Sequence, residues 1–106
     1  MEIRNNILYI KKTEKPTYFS LSNNEYYPDA ILEDLDAMKI KYEKADPGDP
    51  DMPPYKDIPK LDENQNTGTN ERVEFKTDIS FHDLKEAVFN YIYDLEEGKI
   101  KDVVIE

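Results

Sequence analysis

The pattern of apolar residues along this chain predicts an α+β fold: a small single-domain sandwich with a four- to five-stranded, mostly antiparallel sheet, two helices on one face and a long, proline-rich acidic loop. Three observations carry that expectation. Stretches at 3–10, 17–21 and 72–79 alternate with the period of a strand, and stretches at 28–38 and 81–97 repeat with the period of a helix. Between 45 and 70, five prolines (Pro47, Pro50, Pro53, Pro54, Pro59) break both periods. With 106 residues the chain falls within the range of one domain, expected as a single acidic unit over 1–106.

In the first stretch Ile3, Ile7 and Tyr9 fall on one side and Leu8 and Ile10 on the other, as in a strand. The polar run 11–16 ends at Pro16, and Thr17 to Leu21 is rich in strand formers, so an antiparallel hairpin between 3–10 and 17–21 is the economical expectation. Pro28 suits the first turn of a helix, whose stripe is Ile31, Leu35, Met38 and Tyr42, widened by Leu32. The run 39–43 also alternates, which favours a helix ending near Met38 and a short strand after it. The loop at about 45–71 exceeds the usual length of structureless connections, and Met52, Tyr55, Ile58 and Leu61 are its candidate anchors. Val73, Phe75, Thr77 and Ile79 alternate with polar residues in a half-exposed strand. Ser80 then caps a helix with Asp83 three residues on, Leu84, Ala87, Val88, Tyr91, Ile92 and Leu95 form its stripe, and Gly98 ends it. The apolar residues of 99–105 make a closing strand.

Hydrophobic residues are 38% of the chain and charged residues 36%, so the core is lean, and eight tyrosines and four phenylalanines supply much of its area. The chain has no cysteine, which removes disulfides and thiolate chemistry and leans towards a reducing compartment. The start, with Glu2 and Arg4, lacks the apolar stretch of a secretory signal, and nowhere do about 18 apolar residues run together, so a cytoplasmic location is expected. The net charge is −10. Residues 1–24 carry four basic against two acidic groups, which leaves an excess of twelve negative charges on 25–106. Such a field repels phosphates and anionic lipid and attracts basic protein surfaces, so direct nucleic-acid and membrane binding are not expected.

Signals for chemistry are weak. His82, the one histidine, stands in the first turn of the second helix, where the helix dipole opposes its protonation. The run from Asp46 to Asp51, with Asp57 beyond it, has oxygen-rich character, but Asp51 stands where a calcium loop needs glycine, and Pro50 and Pro53 stiffen it. The three glycines are isolated, so no phosphate-binding loop exists, and no serine has a base beside it except Ser80, which is better used as a cap. Glu96-Glu97 and Asp34-Asp36 cannot be told from ordinary helix-surface charge. No catalytic residue, metal ligand or cofactor is expected, and the chain reads as a non-enzyme.

What remains is a surface on which acids and tyrosines interleave. Glu25, Tyr26, Tyr27, Asp29, Glu33, Asp34 and Asp36, followed by Asp46, Asp49, Asp51, Tyr55 and Asp57, are the candidate partner-binding residues, within a segment 25–63 that holds twelve acidic and five basic groups. The plainer alternative is that the tyrosines pack inwards and the acids only solvate the loop. In composition the chain is similar to immunity proteins that neutralise nuclease toxins and to small phage anti-defence inhibitors that imitate nucleic-acid charge. That similarity implies an acidic inhibitor blocking a basic surface of a nuclease or nucleic-acid-binding protein. A structural or assembly protein that self-associates, for instance as a homodimer, through a sheet edge is the second expectation.

Overall fold

The computed structural model of the chain describes residues 1–22, 28–62 and 72–106. In place of one sheet there are two, each of three strands. Sheet A has the order β1 (Glu2–Arg4), β2 (Ile7–Ile10), β6 (Asp102–Ile105). Sheet B has the order β3 (Lys12–Ser22), β5 (Arg72–Ile79), β4 (Tyr42–Lys44). The first helix, α1, is Pro28–Ala37, and the second runs through 81–96 as α2 (Phe81–Glu86), a π-helical turn (Ala87–Tyr91) and α3 (Ile92–Glu96).

The expected hairpin between 3–10 and 17–21 does not form. Asn5 and Asn6 take left-handed φ values of 54° and 66°, the signature of a tight hairpin turn that asparagine tolerates, so the first stretch folds back on itself as β1 and β2. β2 then pairs in parallel with β6 on its other side. The polar run 11–16 is no turn either: β3 passes straight through it. Between the pairs Lys12↔Ile79 and Thr17↔Thr77, four residues of β3 face one of β5, a wide bulge that houses Pro16 where no ladder bond is asked of it. Thr13 Oγ1 donates to Lys15 O (2.7 Å) and holds the bulge in shape.

β5 lies at the centre of sheet B, antiparallel to β3 and β4, and Phe19 stacks on its partner Phe75 with ring centroids 5.6 Å apart. Tyr42 meets Phe75 edge-on at 6.1 Å. One apolar cluster joins these residues to Leu8, Ile10 and Val103 of sheet A, to Ile31, Leu35 and Met38 of α1, and to Leu84, Ala87, Val88 and Ile92 of the second helix. The periodic positions of both helices therefore lie where their spacing places them.

Both helices end in the same geometry. Gly98, at φ 82°, follows α3: Gly98 N–H donates to Leu95 O (3.2 Å) and Lys99 N–H to Asp94 O (2.9 Å), a Schellman motif. After α1, Lys39 N–H donates to Asp36 O (3.1 Å) and Ile40 N–H to Leu35 O (2.9 Å), the same motif with Lys39 at φ 60° in the place usual for glycine. Ile40 and Leu35 are both buried, the apolar contact that accompanies such an ending. At the other end of the second helix, Asp83 N–H donates to Ser80 Oγ (3.1 Å).

Candidate protein-binding surface

The loop from 45 to 62 crosses sheet B from one edge to the other. It leaves β4 with Ala45 N–H donating to Glu74 O (2.9 Å) and arrives at the far edge of β3, where Ser20 N–H donates to Pro59 O (2.9 Å) and Leu61 N–H to Ser20 O (3.0 Å). Ile58 and Leu61 are buried beneath it, whereas Met52 is half-buried and Tyr55 is 61% exposed. Two of the four candidate anchors thus serve as such, and the tyrosine faces outwards.

Polar groups on the loop side of sheet B hold this path. Asp49 accepts from Tyr18 Oη (2.7 Å) and Lys76 Nζ (3.2 Å) through Oδ2, and from Asp51 N–H (3.1 Å) through Oδ1. The Tyr18 hydroxyl, the Asp51 amide and Lys76 hold its carboxyl below the usual carboxylate range. Burial, reinforced by the bond to Asp49, pushes the Tyr18 phenol up to about 12. Lys76 is shared with Glu43 at 3.3 Å, and the Asp49 and Glu43 bonds raise its ammonium above the ordinary value.

A second network closes the far end. The Asp62 carboxylate, almost fully buried, pairs with the Arg72 guanidinium and accepts from Ser22 N–H (2.8 Å). Arg72 also donates to Ser20 Oγ (2.9 Å), Ser22 Oγ (3.2 Å) and Ser20 O (3.3 Å). Burial acts to raise the pKa of Asp62, but the Ser22 and Arg72 donors outweigh it and hold it below the usual range.

Asp46, Asp51 and Asp57 stand exposed along the pinned loop beside Tyr55. Asp46 Oδ1 accepts from Gly48 N–H (2.9 Å) and shapes a turn, and Asp57 lies in a single 3₁₀ turn, Tyr55–Asp57. Five of the candidate partner-binding residues (Asp46, Asp49, Asp51, Tyr55, Asp57) therefore share one loop, four of them outward-facing and Asp49 turned to the sheet.

Glu33, Asp34 and Asp36 are elsewhere. They ride on α1, whose Ile31 and Leu35 join the apolar cluster with Phe19 and Phe75 of sheet B. Asp36 accepts from Tyr42 Oη at 3.4 Å. Burial first, then the nearby charges of Glu96 and Glu33, raise the Asp34 carboxyl above its ordinary value, so the second helix brings Glu96 up to α1. From the sequence Glu96 cannot be told from ordinary helix-surface charge, and only the packing of two helices reveals its neighbour. Glu25, Tyr26 and Tyr27 lie outside the described residues, as does the side chain of Asp29.

A broad cleft of about 930 Å³ opens between the β3 bulge, the α1–β4 junction and the end of β5. Its lysines, Lys15, Lys39, Lys41 and Lys76, are balanced by Glu14, Asp36, Glu43 and Asp78, and its two threonine hydroxyls are engaged, Thr13 with Lys15 O and Thr77 with Lys41 O (2.6 Å). Among the described residues no three His, Asp or Glu side chains gather as a cation site, and no helix is long and apolar enough to cross a membrane. No family model, curated protein or solved structure matches the chain.

Proposed function

We propose that this chain is a non-enzymatic, cytoplasmic inhibitor that binds a basic protein surface, of the kind a nuclease or nucleic-acid-binding protein uses for phosphates, and that it does so with the 45–62 loop. One observation carries the reading. The loop is stiffened by five prolines and pinned at Asp49 and Asp62, yet Tyr55 and the carboxylates of Asp46, Asp51 and Asp57 face solvent. A loop that only covered the sheet would turn its aromatic ring inwards, as Tyr18 does beneath it. Ordering before contact lowers the entropic cost of binding, and an exposed aromatic ring among carboxylates suits a cationic partner. The acidic side of the loop stands in for phosphate charge.

The test is capture from the source cell with wild-type protein and with the Asp46→Lys, Asp51→Lys, Asp57→Lys triple variant, followed by mass spectrometry. A basic nuclease or nucleic-acid-binding protein retained by the first and lost by the second supports the proposal; equal retention refutes it. A second reading, self-association through a sheet edge, is favoured by β1, an outer strand of sheet A on which Ile3 is 46% exposed. A mass in solution that rises with concentration would establish it, and an Ile3→Lys variant would then stay monomeric.

A further inference from the structure

We propose that β1 is a self-complementary edge through which two copies of this chain pair, antiparallel and centred on Ile3, joining their three-stranded A sheets into one continuous sheet. The pairing rests on the self-association reading above and is independent of the role proposed for the loop. It follows first from where the backbone groups of β1 point. On its β6 side, β2 accepts from Lys101 N–H through Asn6 O (2.7 Å) and from Glu106 N–H through Ile10 O (2.9 Å). The even-numbered residues of β2 therefore bond β6, which leaves Ile7 and Tyr9 to exchange bonds with Arg4 and Glu2, their partners in β1. A two-residue turn at Asn5-Asn6 asks for the same pattern, since the pair that flanks it is hydrogen-bonded. Ile3, opposite Leu8, thus turns its N–H and C=O outwards, and a second β1 laid against it exchanges both bonds, Ile3 to Ile3.

The side chains fit the same register. With Ile3 opposite Ile3, Glu2 lies opposite Arg4 of the second copy and Arg4 opposite its Glu2, and opposite charges directly across two strands attract. A parallel pairing in register would set like charges against each other. Glu2 and Arg4 already share one face of β1, where they pair within the chain and the Arg4 guanidinium lies over the Tyr9 ring, 4.1 Å from its centroid. On the other face Ile3, 46% exposed, stands beside the fully buried Leu8, and Ile3 of the second copy covers it. The copies also approach through their least acidic part. Residues 1–24 hold four basic against two acidic groups in a chain of net charge −10, so mutual repulsion is weakest there. Other outer edges are closed to such pairing. On β6, Val103 N–H is taken by Asp102 Oδ1 (2.8 Å), which also pairs with Lys39, and the outer edge of β3 is bonded to residues 59–61.

So short an edge makes a weak, transient dimer, so the experiment is sedimentation equilibrium of the full chain over a wide concentration range, with charge-swapped variants. Wild type should gain mass with concentration. Glu2→Arg alone and Arg4→Glu alone each turn two attractive pairs of the symmetric interface into repulsive ones and should weaken association at least about tenfold. An equimolar mixture of the two variants, which are complementary to each other, should regain it, and the double variant Glu2→Arg, Arg4→Glu should keep it. Both positions are exposed, and the amide NMR spectrum of each variant reports its fold. If wild type stays monomeric at every concentration, the pairing and the self-association reading fall together. If wild type associates but the single variants associate equally well, or neither the mixture nor the double variant does so, β1 does not pair in this register, and self-association through another surface survives.

Discussion

Asp49 stands among the exposed acids of its loop, yet it is the one that faces inwards to Tyr18 and Lys76. Its substitution should be read as a structural change. In Asp49→Asn the Tyr18 phenol, now near 12, should titrate closer to its ordinary 10.0, measurable as tyrosinate absorbance against pH. The sign of the linkage follows from the same bond. A phenol raised by folding stabilises the protein fully below its unfolded value and loses that contribution as pH rises through about 12. The lowered carboxyl of Asp49 contributes above the ordinary carboxylate value and loses its contribution as pH falls through its folded value. Thermal unfolding of wild type and Asp49→Asn should therefore differ most at neutral pH and converge at both extremes. None of this was legible in the sequence, because Tyr18 and Lys76 lie 31 and 27 residues from Asp49 and only the pairing of β3 with β5 sets them side by side. Asp46, Asp51 and Asp57 were legible as an exposed acidic run, since proline-rich chain of that composition has no regular face to bury.

The two helix ends make a matched pair of tests. Gly98→Ala places a Cβ at φ 82° and should destabilise the protein by about 1 kcal/mol, read from thermal or denaturant unfolding. Lys39→Gly relieves a left-handed lysine, a gain of about 1 kcal/mol, but gives up the exposed Lys39–Asp102 pair, whose contribution water and salt screen. The net should be stabilising or neutral, opposite in direction to Gly98→Ala. The strand β5 and the second helix were readable because their signals are local: strict alternation, a serine cap and a glycine stop. The Lys39 ending has no glycine to announce it, and the shorter first helix was visible only through the alternation of 39–43. Pairing partners are non-local. The apolar rhythm of 3–10 runs unbroken across Asn5-Asn6 and hides the turn there, and a bulge of four residues against one leaves no periodic trace.

Taken together, two sheets and two helices share a single apolar cluster, while the acidic segment is divided between the 45–62 loop and α1. The α+β class and both helices were legible. The division into two sheets was not, because a parallel partner for β2 arrives only at the end of the chain. The loop depends on the Arg72–Asp62 network at its end. Arg72→Met leaves a buried carboxylate unpaired and should cost on the order of 3–5 kcal/mol, whereas adding Asp62→Leu should recover much of that loss in a double-mutant comparison of unfolding midpoints. The central claim, that an ordered acidic loop binds a basic protein surface, is tested most directly by the salt dependence of affinity for the captured partner. Between about 50 and about 500 mM salt, Kd should rise at least about tenfold as screening shortens the reach of the loop charges, and the Asp46→Lys, Asp51→Lys, Asp57→Lys variant should show no such weakening. A Kd that stays constant across that range, with wild type and variant indistinguishable, would contradict the account.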